Sequence, residues 1–219
     1  MSFDSSPNVT EFLSMTLKAE HISDQSELKS ITDVVEGQRS GGFQAQYLGF
    51  RLEQPDILQW FLNWDKLEDH KAFMASATYG PFKARAGGIR AAGGIFEMVH
   101  VPLSPWPPIA FEAPVTEVQM LHLKPGYSWE TFKEPLLELV NACQTEGPGA
   151  VAGSASSGVA VEDEKLIVTV AGWDSAESHK AFAETERFKE LAIAVREQVE
   201  SKTSFHVTLT DRRVAEKFT

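Results

Sequence analysis

Trp64-Asp65-Lys66-Leu67-Glu68-Asp69-His70-Lys71-Ala72-Phe73 recurs as Trp173-Asp174-Ser175-Ala176-Glu177-Ser178-His179-Lys180-Ala181-Phe182, with seven of ten positions identical at an offset of 109 residues. A shorter echo, Val9-Thr10-Glu11 against Val115-Thr116-Glu117, lies at an offset of 106. Repetition over most of the chain means that one structural unit is written twice, so each half is read against the other.

Both halves show the same order of patterns. Phe12–Leu17 and Val118–Leu123 are short β-type runs, followed by helical stretches over Gln25–Gln38 and Trp129–Thr145. The second helix is the clearer, with Phe132, Leu136, Leu139, Val140 and Cys143 on one stripe. Gly41-Gly42 and Gly147-Pro148-Gly149 stop these helices. Phe43–Phe50 and the Gly/Ser-rich Val151–Val161 read as second strands. Ile57–Trp64 and Leu166–Trp173 are apolar on both faces and read as buried central strands. The repeated motif opens a helical region running to about Ala92 and Ser201, and Phe96–Val101 and Phe205–Thr210 close the halves.

The order β-α-β-β-α-β, twice, is the ferredoxin-like split βαβ unit, so the class is α+β. Each antiparallel sheet carries helices on one face only. The expected arrangement packs the two free faces into one intrachain α+β barrel. Five prolines between Pro102 and Pro114 remove backbone donors and fix φ, which marks 102–114 as an extended linker between repeats at 1–101 and 115–219. Trp106, Ile109 and Phe111 are available to pin it to a surface.

A formal charge of −11 opposes binding to nucleic acid or to an anionic membrane, both of which draw on clustered Lys and Arg. No apolar run approaches the ~18 residues that span a bilayer. The N-terminus has neither the basic region nor the apolar core of a signal peptide, and the reading is a cytoplasmic protein, monomer or homodimer. Cys143 is the single cysteine, in an apolar stretch, and reads as a small buried hydrophobe.

In the repeated motif, Asp65 and Asp174 stand as helix N-caps with Glu68 and Glu177 three residues on. Each such cap is worth about 1 kcal/mol. Phe73 and Phe182 point at the sheet, and Trp64 and Trp173 end the third strands. His70 and His179, beside Lys and flanked by acids, read as solvated or cap-supporting residues, and no metal site is expected because no ligand recurs at helical spacing.

The Trp-Asp-x-x-Glu-x-His-Lys-Ala-Phe segment, followed by Ser76-x-x-Tyr79-x-x-Phe82, resembles the dimeric α+β barrel superfamily, which includes antibiotic-biosynthesis-monooxygenase-like and stress-responsive A/B barrel domains. The resemblance covers both halves, although the second lacks the Tyr. It implies a tandem fusion that closes within one chain a barrel usually made by two. It also implies a range of activities: cofactor-free oxygenases, isomerases and polyketide cyclases, haem enzymes, and members without activity.

Strand alternation sorts the candidate site residues. Val118, Met120 and His122 share one face of their strand, equivalent to Phe12, Ser14 and Thr16, and His122 is its titratable member. Polyketide-cyclase members likewise carry a first-strand His. Phe96, Met98 and His100 share a face of the closing strand, set against Phe205, Val207 and Leu209, so that His100 replaces an apolar residue. His206 falls on the opposite face, with Thr208. Tyr79 stands at a helix break, placed to donate to a substrate carbonyl or enolate. Trp60 serves as a wall and Asn63 as an orienting donor. The candidates are therefore His122, His100 and Tyr79 for chemistry, with Trp60, Asn63, Met120, Phe12 and Met98 for binding.

Neutral His as base with Tyr as acid requires no metal and no cofactor. The leading expectation is a cofactor-independent cyclase, isomerase or oxygenase acting on a small hydrophobic, polyketide-like or phenolic substrate in an apolar pocket. A non-catalytic binding or stress-response protein predicts pockets filled by Phe and Trp. Haem binding predicts an axial His facing a wide cavity.

Overall fold

The computed structural model describes residues 7–214. The chain divides into two compact units: one takes the described residues up to His100 and those from Thr210 onward, the other Val101–Leu209.

The first unit runs β1 (Val9–Thr16), α1 (Ala19–Ser23), α2 (Ser26–Glu36), β2 (Phe43–Arg51), β3 (Ile57–Trp64), α3 (Leu67–Met74), α4 (Tyr79–Ile89) and β4 (Phe96–Val101), in sheet order β4-β1-β3-β2. β3 is buried at every position, Gln59 and Asn63 included, as its apolar residues on both faces predict for a central strand. β1 pairs antiparallel with β3, setting Val9 opposite Trp64, Glu11 opposite Leu62 and Leu13 opposite Trp60. Facing residues point the same way, so Glu11, Leu13 and Met15 share the helix-covered face with Trp60, Leu62 and Trp64. Phe12 and Thr10 take the other face. There Phe12 meets Phe61 edge-on at 5.1 Å, and Thr10 Oγ1 donates to Asn63 Oδ1 at 2.8 Å.

The second unit runs β5 (Val115–Leu123), α5 (Trp129–Glu146), β6 (Ser156–Val159), β7 (Leu166–Trp173), α6 (Ala176–Ala183), α7 (Glu186–Gln198) and the part of β8 (Val199–Val214) up to Leu209, in order β8-β5-β7-β6. Both units thus have the ferredoxin-like order and an α+β fold. The Gly/Ser-rich second strand shrinks to four residues, because that composition packs and pairs poorly. The proline-rich stretch is part of the second unit: Phe111 is fully buried, Thr116 Oγ1 donates to the Ala110 carbonyl at 2.8 Å, and Ser156 Oγ donates to that of Pro105 at 2.8 Å.

The helix caps differ from expectation. The N-caps of α3 and α6 are Lys66 and Ser175, one residue after the aspartates. Asp65 and Asp174 instead fix the strand ends: their backbone N–H groups donate to the carbonyls of Gly42 (2.8 Å) and Gly149 (2.7 Å). Those glycines hold φ of +90° and +80°, and a Cβ there would meet the side chains of Asp69 and Asp174, so the turn requires glycine on two counts. Among the described residues no helix is long and apolar enough to cross a membrane.

Candidate functional site

The two sequence echoes meet in space. His70, on α3, is 2% exposed, and His179, on α6, is 7% exposed, so the solvated reading of the repeated histidines does not hold. A helix entered from the end of a buried strand places its first inward turn over the sheet, and both imidazoles point there. His70 Nε2 lies 3.5 Å from Glu11 Oε2, and its Nδ1 lies 2.7 Å from His100 Nε2. Trp64 Nε1 donates to Glu11 Oε2 at 3.3 Å, and the Trp64 and His70 rings stack with centroids 5.0 Å apart. The second unit repeats the cluster: His179 Nε2 to Glu117 Oε1 at 3.3 Å, His179 Nδ1 to His206 Nε2 at 2.8 Å, and Trp173 Nε1 to Glu117 Oε2 at 3.1 Å.

His206, not Leu209, is therefore the counterpart of His100. The helical motif repeats at 109 residues but the first and last strands repeat at 106, and a three-residue slip moves a strand residue to the other face. His206 sits directly across from Glu117 in the β5–β8 ladder. The closing-strand His is a shared feature of the repeats, and the asymmetry between them lies elsewhere.

With the carboxylate ionised, His70 Nε2–H donates to Glu11 and His70 Nδ1 accepts from His100 Nε2–H, giving a linear carboxylate–imidazole–imidazole chain. Carboxylate and two imidazoles are also a metal donor set, but here they bond to opposite edges of the His70 ring. One ligand atom from each of the three lies within 4.8 Å of the others, but the two nitrogens of the His70 ring diverge, so an ion held by all three would have to replace the hydrogen-bonded chain. Haem fits no better, since both His70 nitrogens face protein partners and no other His among the described residues lines the cavity. Burial holds the His179 imidazole below its ordinary value of 6.5 against the opposing pull of Glu117, which keeps it neutral.

In the first unit the cluster opens on a cavity of about 450 Å3, walled by Leu13, Met15, Trp60, Leu62, Phe73 and Phe82. That volume lies within the ordinary range for small-molecule sites. Tyr79 lines it, standing edge-on to Phe73 at 5.3 Å. Burial, with help from the Glu11 charge, raises the phenol above its ordinary value, so it stays protonated, and its hydroxyl has no hydrogen-bond partner among the described residues. In the second unit the corresponding space is about 20 Å3. Phe188 fills it, edge-on to Phe182 at 5.9 Å, and Gln119 Nε2 donates to Glu117 Oε1 where the first unit has Leu13. Cys143 borders this closed space, its thiol pushed up to about 12 mainly by burial, which keeps it protonated.

Of the residues singled out from sequence, Tyr79, Trp60 and Met98 line the cavity, and His100 stands behind His70. Phe12 and Asn63 lie on the sheet's other face. Met120 and His122 belong to the second unit; His122 is half-exposed, between Asp163 at 3.0 Å and Glu200 at 3.7 Å. Glu11, Trp64 and His70 were not among the candidates. The Val-Thr-Glu echo was the available signal, since a repeated acid on a strand is out of place unless something pairs with it.

No family model and no curated protein sequence matches the chain. Solved structures do. A protein described as anthrone oxidase-like is similar with a TM-score of 0.71 at 16% identity, over 99% of this chain and 96% of that one. A provisionally assigned monooxygenase from Fusobacterium nucleatum gives 0.68 at 11%, over 96% and 95%. A provisionally assigned chlorite dismutase gives 0.60 at 14%, over 94% and 96%. At such identities the likeness shows the fold alone: a ferredoxin-like α+β unit carried twice in one chain.

Proposed function

We propose that the first unit is the working half of a small-molecule enzyme that removes a proton from a phenolic or polyketide-like substrate, with Glu11 as base and Tyr79 as donor to the developing oxyanion. The observation that carries this is the difference between two otherwise equal clusters: the Glu–His–His chain borders an apolar cavity only where a tyrosine replaces a phenylalanine. The substrate C–H or O–H faces the Glu11 carboxylate, which takes the proton. His70, held by His100, steadies the carboxylate by donating to it from Nε2–H, in a site where water is scarce. The Tyr79 O–H, protonated and without an internal partner, stabilises the enolate or phenolate oxygen. Rearrangement of that anion is a cyclisation or isomerisation. Its reaction with dioxygen, a CH2 group and O2 giving C=O and water, is the oxygenase outcome, which the likeness to an anthrone oxidase-like protein favours.

The cavity counts against the reading as a filled, non-catalytic module, which describes the second unit alone. The test is a comparison of variants on anthrone and related phenols, following C–H exchange with D2O and oxygen uptake. Glu11→Gln should lower both by about 10²-fold or more, and Glu117→Gln should leave them unchanged. Equal losses from the two variants, or rates no higher than without protein across the panel, would overturn the assignment.

A further inference from the structure

We infer that the cavity of the first unit takes an aromatic or polycyclic ligand bearing an anionic oxygen group, seated against Lys83 and Arg90. This rests on the placement of the working site in that unit and adds the chemistry of its ligand.

The argument starts from one face of α4. Tyr79, Phe82, Lys83, Ala86 and Gly87 follow the i, i+3, i+4, i+7, i+8 spacing of a helical stripe, and all line the cavity, as does Arg90 just beyond the helix. Apolar rings from Trp60, Phe73 and Phe82 supply the body of the site. The two cations lie on its border, and neither forms an ion pair among the described residues. Their neighbour Arg85, one turn from the stripe, is by contrast tied to Glu27 at 2.9 Å and Ser30 at 2.6 Å. Arg90 is held in place over the Phe96 ring, 5.1 Å from its centroid, and Phe96 also lines the cavity.

The second unit supplies the comparison. The same stripe, 109 residues on, places Phe188, Ala192 and Val199 where the first unit has Tyr79, Lys83 and Arg90. Phe188 and Ala192 are buried in a closed core. Three polar groups therefore distinguish the open cavity from the closed one, and two of them are cations. In a chain with 31 acidic and 20 basic residues, two cations without ion-pair partners among the described residues supply positive charge beside one apolar cavity, and a cation at an apolar wall attracts an anion more strongly than one in bulk water. With the Glu11 carboxylate also on the wall, the ligand's anion is directed to Lys83 and Arg90 and its neutral, acidic C–H or O–H to Glu11.

The experiment compares two fluorescent probes that share one skeleton: 1-anilinonaphthalene-8-sulfonate and the uncharged N-phenyl-1-naphthylamine. The native protein should bind the sulfonate about tenfold more tightly at low salt, with the advantage shrinking as salt rises. The double variant Lys83→Ala/Arg90→Ala should lose that advantage while keeping its affinity for the uncharged probe. Ala86→Trp should exclude both probes, and mutual displacement at one site provides the same check without a mutation. Equal affinities in the native protein, an advantage that survives the double variant, or failure of the probes to displace each other would overturn the inference. Glu11→Gln separates the two readings, since it should retain the probe preference whether or not Glu11 is the base.

Discussion

Tyr79 and Phe188 hold the same place in the two repeats: each ring stands edge-on to the phenylalanine of the repeated motif, Phe73 at 5.3 Å and Phe182 at 5.9 Å. The packing is shared and the hydroxyl is not. Around this pair the two units diverge, one keeping a cavity beside its buried Glu–His–His cluster and the other filling the space with side chains.

Tyr79→Phe converts the wall of the first unit to that of the second. The expected result is a loss of about 10²-fold in kcat, the usual effect of removing one oxyanion donor, with little change in thermal midpoint because the hydroxyl has no internal partner. Steady-state kinetics beside a melting curve checks both halves of the statement.

Leu13→Gln carries the second unit's Gln119 donor into the first. A hydrogen bond to the Glu11 carboxylate stabilises its charged form and weakens it as a base, so turnover should fall severalfold or more. Gln119→Leu, the reciprocal change, should leave turnover as it was. A kcat that responds to the second change and not to the first would place the chemistry in the wrong unit.

His206→Ala removes the Nδ1 partner of a 7%-exposed imidazole. The cost expected from leaving a buried polar group unpaired is about 1–3 kcal/mol, read as a lower denaturant midpoint at unchanged slope. Turnover should survive. His100→Ala should cost similar stability and lower turnover as well, because it releases His70 beneath Glu11.

The pH dependence of stability has a definite sign. Burial lowers the His179 pKa from its ordinary 6.5, so below that value the unfolded chain binds more protons than the native one. The contribution is complete above pH 6.5 and is lost as the pH falls from there through the lower native value. Unfolding midpoints measured between pH 8 and 5 should decline on the acid side, and His179→Gln should flatten that part of the curve.

Sequence carried the architecture because each part of it is local. The repeated decapeptide reported the strand end, the turn and the inward helix twice over, and the apolar run Ile57–Trp64 was long enough to mark a central strand unaided. The proline-rich stretch read as a linker, whereas its burial on the second unit was not legible, since that depends on where Phe111 packs once the unit has folded.

The Glu–His–His cluster was legible only in fragments. Glu11, His70 and His100 lie on three elements separated by 59 and 30 residues, and their meeting follows from sheet register rather than from spacing. A face on β1 had to be chosen, and period-2 alternation offers two; the helices cover the side of Glu11, not that of Phe12. His206 was set against the wrong partner because the strands repeat at 106 residues while the motif repeats at 109.

By itself, then, the sequence determined that one ferredoxin-like unit occurs twice, the order of its elements, and that a Trp, a His and a Phe recur at each strand-to-helix turn. Tertiary structure alone decided that the recurring His is buried against a carboxylate and a second imidazole, and that the space beside this cluster is open in the first copy and filled in the second. The physical reason is that periodicity within a segment specifies which way a side chain points, whereas burial, pairing and cavity volume depend on what every other segment leaves unfilled.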